Sequence, residues 1–157
     1  MLQEVRSLFL PPFSTQPLAD AFAARNFLLM DIPSLGSSPL ALAYGSAIVQ
    51  SAVIYWNERL AVYAQYFDQI FPGATAVFYK TSEFSRTILD APATYGIQNT
   101  VSACDAYMFI NNDPTASVPA CGAPLKDYFW KDNWHPSLRI HRLLAQGPLL
   151  PSSSLPS

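Results

Sequence analysis

The run Asp132-Asn133-Trp134-His135-Pro136-Ser137 sets a carboxylate three residues before an imidazole. That pairing suits hydrolysis. An aspartate can hold a histidine in one tautomer and support its protonated form. The imidazole can then carry a proton from a nucleophile to a leaving group. His135 is therefore the candidate general base and acid, and Asp132 its orienting carboxylate. Aromatic residues surround the pair: Tyr128, Phe129 and Trp130 precede it and Trp134 lies within it. Trp130 and Trp134 are candidates for core or cleft-wall positions, where an indole face can also stack on a sugar ring. The pair has a structural reading too, as a cap on a following helix. His141, six residues on, reads as a packing or surface residue of that helix.

The attacking group that such a pair would activate is not apparent. The chain has no Gly-x-Ser-x-Gly elbow. Ser37, Ser38 and Ser46 stand close to glycines, but none follows a strand in a strained turn, so loop and cap roles are expected of them. No metal or cofactor site is expected either. Cys104 and Cys121 are the two cysteines, sixteen residues apart in between, and this spacing matches no metal site. A disulfide closing that loop would contribute roughly 3 kcal/mol in the chain-entropy model. Two buried free thiols are the alternative.

Composition bounds the rest. With 157 residues there is room for one domain with a sizeable core and not for two comfortable ones. Half the residues are hydrophobic and 13% are charged, which excludes a generally disordered chain. Net charge is -2 and the nine Lys and Arg are scattered, which argues against a nucleic-acid partner. No apolar run approaches the ~20 residues needed to cross a bilayer, so no membrane partner is expected. The start, MLQEVRSLFLPPFSTQP, lacks the pattern of a secretory signal. The cysteines point to an oxidising compartment all the same, and a chain that has lost its beginning reconciles the two.

The elements that must position the pair follow from periodicity. Residues 1–18 are irregular, with Pro11, Pro12 and Pro17 blocking any long element, and 19–25 suggest a short helix. Asn26 to Ile32 is a continuous apolar run ended by Pro33 and reads as a buried strand. A helix is expected from about Ala43 to Phe71, with Ile48, Ala52, Val53, Trp56, Leu60, Tyr63, Phe67 and Ile70 on one face, stopped by Pro72-Gly73. Ala74 to Tyr79 reads as a second buried strand, and Ser82 to Asp90 as a helix capped by Ser82. A long loop from 92 to 128 holds both cysteines, and a last helix runs from Pro136 to Gln146. Strand, helix, strand, helix is the rhythm of an α/β chain with a parallel sheet. Two strands are too few for such a sheet to stand alone, so part of the fold, its N-terminal strands, is expected to be missing. The organisation is then an irregular segment 1–18, a hydrolase-like part 19–147 and a loose tail 148–157.

Several blocks in order resemble the GDSL/SGNH hydrolase superfamily, and most of all the fungal esterases of carbohydrate esterase family sixteen. They are AARNFLLMDIPSLGSSPL (Ala23 to Leu40), YWNERL (Tyr55 to Leu60), FPGATAVFYKTSEF (Phe71 to Phe84), ILDAPATYGIQNT with the following cysteine (Ile88 to Cys104), and FWKDNWHPSLRIHRLLA (Phe129 to Ala145). The last block is the specific one. The resemblance covers roughly residues 20 to 146, the C-terminal portion of such an enzyme. It implies a flavodoxin-like three-layer α/β/α fold and removal of acetyl groups from carbohydrate, with a small-molecule or polysaccharide ester as substrate and an extracellular setting. It also implies that His135 and Asp132 are two members of a triad and that Cys104 and Cys121 form a loop disulfide.

The departures are specific. The family serine sits in an N-terminal Gly-Asp-Ser block and an oxyanion asparagine in Gly-x-Asn-Asp, and this chain has neither. The glycine usual before the ARNF stretch is replaced by Phe22 or Ala23, Asp31 stands where asparagine is common, and Ser34 replaces a second proline. The expectation is thus a truncated esterase, inactive alone. A non-enzymatic remnant that binds glycan or protein is the competing reading, and a missing half supplied by another polypeptide is a third.

Overall fold

A computed structural model describes residues 24–108, 113 and 115–146. The irregular start and the tail lie outside the described residues, as does most of the helix expected over 19–25; Ala24 and Arg25 belong to no helix. The described residues form two compact units, 24–32 with 54–80 and 33–53 with 81–146. No described helix is long and apolar enough to cross a membrane.

The first unit holds two parallel strands. β1 is Asn26–Met30 and β2 is Thr75–Tyr79, in register from Asn26 opposite Thr75 to Met30 opposite Tyr79. Successive side chains of a strand point to opposite faces. Phe27, Leu29, Ala76 and Phe78 accordingly pack on a core of Leu60, Tyr63, Phe67, Ile70, Phe71 and Ala74. Its rings meet tilted or edge-on, Phe27 and Phe71 each 5.0 Å from Phe67. The buried strand expected at 26–32 is corrected here. Leu28 and Met30 are 56% and 49% exposed, because only one face of β1 is covered. Beyond the strand, the Asn57 amide receives the Ile32 N–H (2.9 Å) and donates to the Ile32 carbonyl (2.8 Å), satisfying backbone that the sheet no longer pairs.

The single helix expected over 43–71 is three: α1 Pro39–Tyr44, α2 Ser46–Gln65 and α3 Phe67–Ile70. Gly45 separates the first two with φ 137°, a conformation open to glycine and strained for other residues. Tyr66, at φ -106° and ψ 16°, makes the second break. The stripe survives where it has a partner: Val53, Leu60, Tyr63, Phe67 and Ile70 are buried, while Ile48 is exposed.

The second unit is built round Ile88, Ile97, Phe129, Trp130, Ile140 and Leu144. They come from α4 (Thr81–Asp90), from the segment that follows it and from α5 (Leu138–Gln146). α4 starts one residue earlier than expected. Ser82 lies inside its first turn, where its carbonyl accepts the Ser85 hydroxyl at 3.0 Å, so it is not the cap. α5 starts two residues later than expected, since Pro136 and Ser137 still pair with the segment before the turn described below.

The segment between these helices carries short 3-10 turns at Pro92–Tyr95, Asp105–Tyr107, Pro119–Cys121 and Leu125–Asp127. Cys104 and Cys121 are bonded as a disulfide. Beside the bond Tyr107, Leu125 and Tyr128 form a second small core. The Tyr107 hydroxyl donates to the Ala123 carbonyl (2.5 Å), and the Tyr128 hydroxyl donates to the Cys121 carbonyl. Reduction, or replacement of both cysteines by serine, should lower stability by roughly 3 kcal/mol through the loop it frees. Urea unfolding with and without reductant measures this. Two parallel strands linked through helices make the chain α/β, consistent with an incomplete three-layer α/β/α fold.

Candidate active site

The acid and the imidazole share one closed turn. Trp130 and Pro136 face each other as an antiparallel bridge, with the Ser137 N–H donating to the Phe129 carbonyl (2.7 Å) and the Lys131 N–H to the His135 carbonyl (2.8 Å). Residues 131–135 loop out between these rungs. The base of the loop is fixed by Trp130, which has no exposed surface, packs against Phe129 at 4.7 Å and donates its indole N–H to the Thr100 carbonyl (2.8 Å).

The tip of the loop is held by the start of α1. A helix leaves its first N–H groups without partners inside itself. In α1, Pro39 has none to offer, the Ser38 hydroxyl takes the Ala41 N–H (3.2 Å), and the Asn133 carbonyl takes the Leu40 N–H (3.2 Å). The Ser-Pro-Leu stretch therefore supplies a cap, a first-turn proline and a tether for the turn that carries His135.

Inside the turn the Asp132 carboxylate collects three N–H groups. Its Oδ1 accepts from the backbone of Trp134 and of His135, both at 2.8 Å. His135 Nδ1 lies 2.9 Å from Oδ2 and 3.0 Å from Oδ1. An ionised carboxylate only accepts, so Nδ1 carries the proton, and in the neutral ring Nε2 then keeps its lone pair. The His135 side chain is 75% exposed and that of Asp132 26% exposed. Among the described residues the ring of His135 hydrogen-bonds Asp132 alone. Partial burial pushes the Asp132 carboxyl upward, but the two backbone N–H groups and the imidazole outweigh it and hold the group below its ordinary value of 3.8.

A stability effect of known sign follows. The folded state favours ionised Asp132, so its contribution is fully present above the ordinary value of 3.8 and is lost as pH falls through the lower folded value. Acid unfolding of the chain should show this dependence below about pH 4, and Asp132→Asn should flatten it. Near-UV circular dichroism across pH 5 to 2 reads the difference.

The other candidates fall as follows. Trp134, next to His135 in the turn, is 39% exposed. Trp130 takes the core position of its two expected readings: wholly buried, it anchors the turn from beneath. Asp132 caps the turn at Trp134 and His135 rather than the helix, since Pro136 and Ser137 intervene before α5. His141 is exposed on α5. Ser38 caps α1, the Ser46 hydroxyl donates to the Gly36 carbonyl (2.5 Å), and Ser37 sits in the 3-10 turn Leu35–Ser37. Among the described residues no group of three His, Cys, Asp or Glu gathers as for a metal. The Leu40 to Asn133 tether and the Asn57 clamp were not found from sequence. The Ser38-Pro39 signature could have located the first, whereas nothing local marks the second.

No protein-family model matches the chain. The chain is similar to an acetylesterase of Thermothelomyces thermophilus, 33% identical over 135 residues that cover 83% of this chain and 38% of that protein. It is also similar to a GDSL esterase/lipase of Arabidopsis thaliana, 28% identical over 134 residues that cover 80% of this chain and 36% of that one. The chain spans little more than a third of the length of these curated relatives. By these two similarities the chain is related to esterases of the GDSL type.

Proposed function

We propose that Asp132 and His135 are the orienting acid and the general base of a serine ester hydrolase, acting on acetylated carbohydrate as in carbohydrate esterase family sixteen. The observation that carries this is the 2.9 Å contact of His135 Nδ1 with a carboxylate that two backbone N–H groups already fix. In such a reaction Nε2 accepts the serine proton as Oγ attacks the ester carbonyl. It then returns the proton to the leaving alcohol, and Asp132 stabilises the imidazolium between the two events. The partly exposed indole of Trp134 in the same turn suits a sugar ring. The disulfide supports an extracellular setting.

The attacking serine and the oxyanion donors come from another segment in this reading, because the sequence holds no Gly-Asp-Ser block and His135 meets no hydroxyl among the described residues. The chain by itself then does not turn over esters. The test has two arms on p-nitrophenyl acetate. The 157-residue chain should show the same rate as its His135→Ala variant. A hybrid joining the N-terminal part of the Thermothelomyces acetylesterase to residues 24–146 should turn over, and should stop on the same substitution. Turnover by the chain alone that needs His135 would refute the separate nucleophile. A hybrid equally active without His135 would refute the assigned base.

A further inference from the structure

Beside α5 lies a cavity of about 340 Å³ lined by Thr115, Lys126, Arg139, Arg142, Leu143 and Gln146. It contains neither Asp132 nor His135. Three of the nine Lys and Arg of the chain line it, and none of the described Asp and Glu does. Of the remaining polar walls, the Gln146 amide can donate hydrogen bonds, while the Thr115 hydroxyl already donates to the Asp113 carboxylate (2.7 Å). Two carboxylates adjoin the cavity walls: Asp127, buried and bonded to Lys126 (2.6 Å) and to the Gln98 amide (2.6 Å), and the exposed Asp113, which accepts the Thr115 hydroxyl (2.7 Å) and N–H (2.8 Å). Asp127 is paired with Lys126, and among the described residues no carboxylate is paired with Arg139 or Arg142.

Arg139 lines the cavity with no carboxylate paired to it among the described residues. It is half-buried, one of its terminal N–H groups donates to the Tyr95 carbonyl (2.9 Å), and its Nε is buried with no acceptor among the described residues. An anion in the cavity would gain charge-assisted hydrogen bonds from this guanidinium. Arg142, one turn further along the same helix, is exposed and reaches the same cavity.

We propose that this cavity binds an oxyanion group, with Arg139 as its fixed cation and Arg142 and Lys126 closing over it. A sugar carboxylate and a phosphate share that chemistry, and both match the planar donor set of arginine. The site is separate from the ester-hydrolysing pair and does not depend on that reading.

The test is a calorimetric and NMR titration of the 157-residue chain with inorganic phosphate and, in a second arm, with galacturonate. Saturable binding is expected in at least one arm, and the tighter arm identifies the source. Arg142→Gln should weaken it about tenfold, as for loss of a charge-assisted hydrogen bond. Arg86→Gln, an exposed cation on α4 outside the cavity, should leave it unchanged. Near-UV circular dichroism of the buried Trp130 reports folding in each sample. Equal weakening by the two variants, absence of saturation in both arms, or a chain without a packed Trp130 signal would overturn the proposal.

Discussion

Replacing Asp132 with asparagine should lower kcat by about ten-thousand-fold in the hybrid that supplies His135 with a serine, with KM changed little. The substitution is nearly isosteric, and an amide oxygen can still accept the N–H groups of Trp134 and His135 that now lie 2.8 Å from Oδ1. The turn should therefore keep its shape. What changes is the partner of Nδ1: an amide NH2 in place of a carboxylate oxygen turns the contact at 2.9 Å from an acceptor into a donor. Nδ1 must then accept, the ring proton moves to Nε2, and the lone pair needed to take the serine proton is gone. A loss below tenfold would mean that Asp132 serves the turn and not the chemistry.

Trp130→Ala should cost about 3–5 kcal/mol of stability, the range for removing a large aromatic side chain from a packed interior. The indole has no exposed surface and touches the cluster of Ile88, Ile97, Phe129, Ile140 and Leu144, so its removal leaves a cavity that α5 cannot fill without moving. The Thr100 carbonyl also loses its donor. Against a domain stability of roughly 5–15 kcal/mol this is a large share. Trp130→Phe keeps most of the volume and drops the indole N–H, so a smaller loss of about 1–3 kcal/mol is expected. Denaturant midpoints of the two variants separate packing from hydrogen bonding. If both stayed within 0.5 kcal/mol of the parent, on the scale of ordinary surface substitutions, Trp130 would not be the anchor of the turn.

How far the chain could be read in advance depended on the range of the interaction involved. Asp132 and His135 were legible because their contact spans three residues, a distance over which type and spacing fix geometry. The parallel pairing of β1 with β2 was legible from two apolar runs separated by a helical period. The exposure of Leu28 and Met30 was not, since a continuous apolar run signals burial on both faces whichever faces are covered. The breaks at Gly45 and Tyr66 were missed because the apolar period runs through them without a proline. Trp130 illustrates the limit most clearly. Its neighbours in sequence are the reacting pair, while its neighbours in space are core residues drawn from three other segments. The clamp of Asn57 on Ile32 joins residues far apart in the chain and leaves no local trace.

The central claim is that Asp132 holds His135 with the proton on Nδ1 and the lone pair on Nε2. Long-range ¹H–¹⁵N correlation of the His135 ring, on the neutral side of its titration, reads that arrangement directly. A protonated Nδ1 and an unprotonated Nε2 are expected in the chain, reversed in Asp132→Asn. A predominantly Nε2-protonated ring in the unsubstituted chain would contradict it, and His135 would then be a surface histidine on a well-made turn.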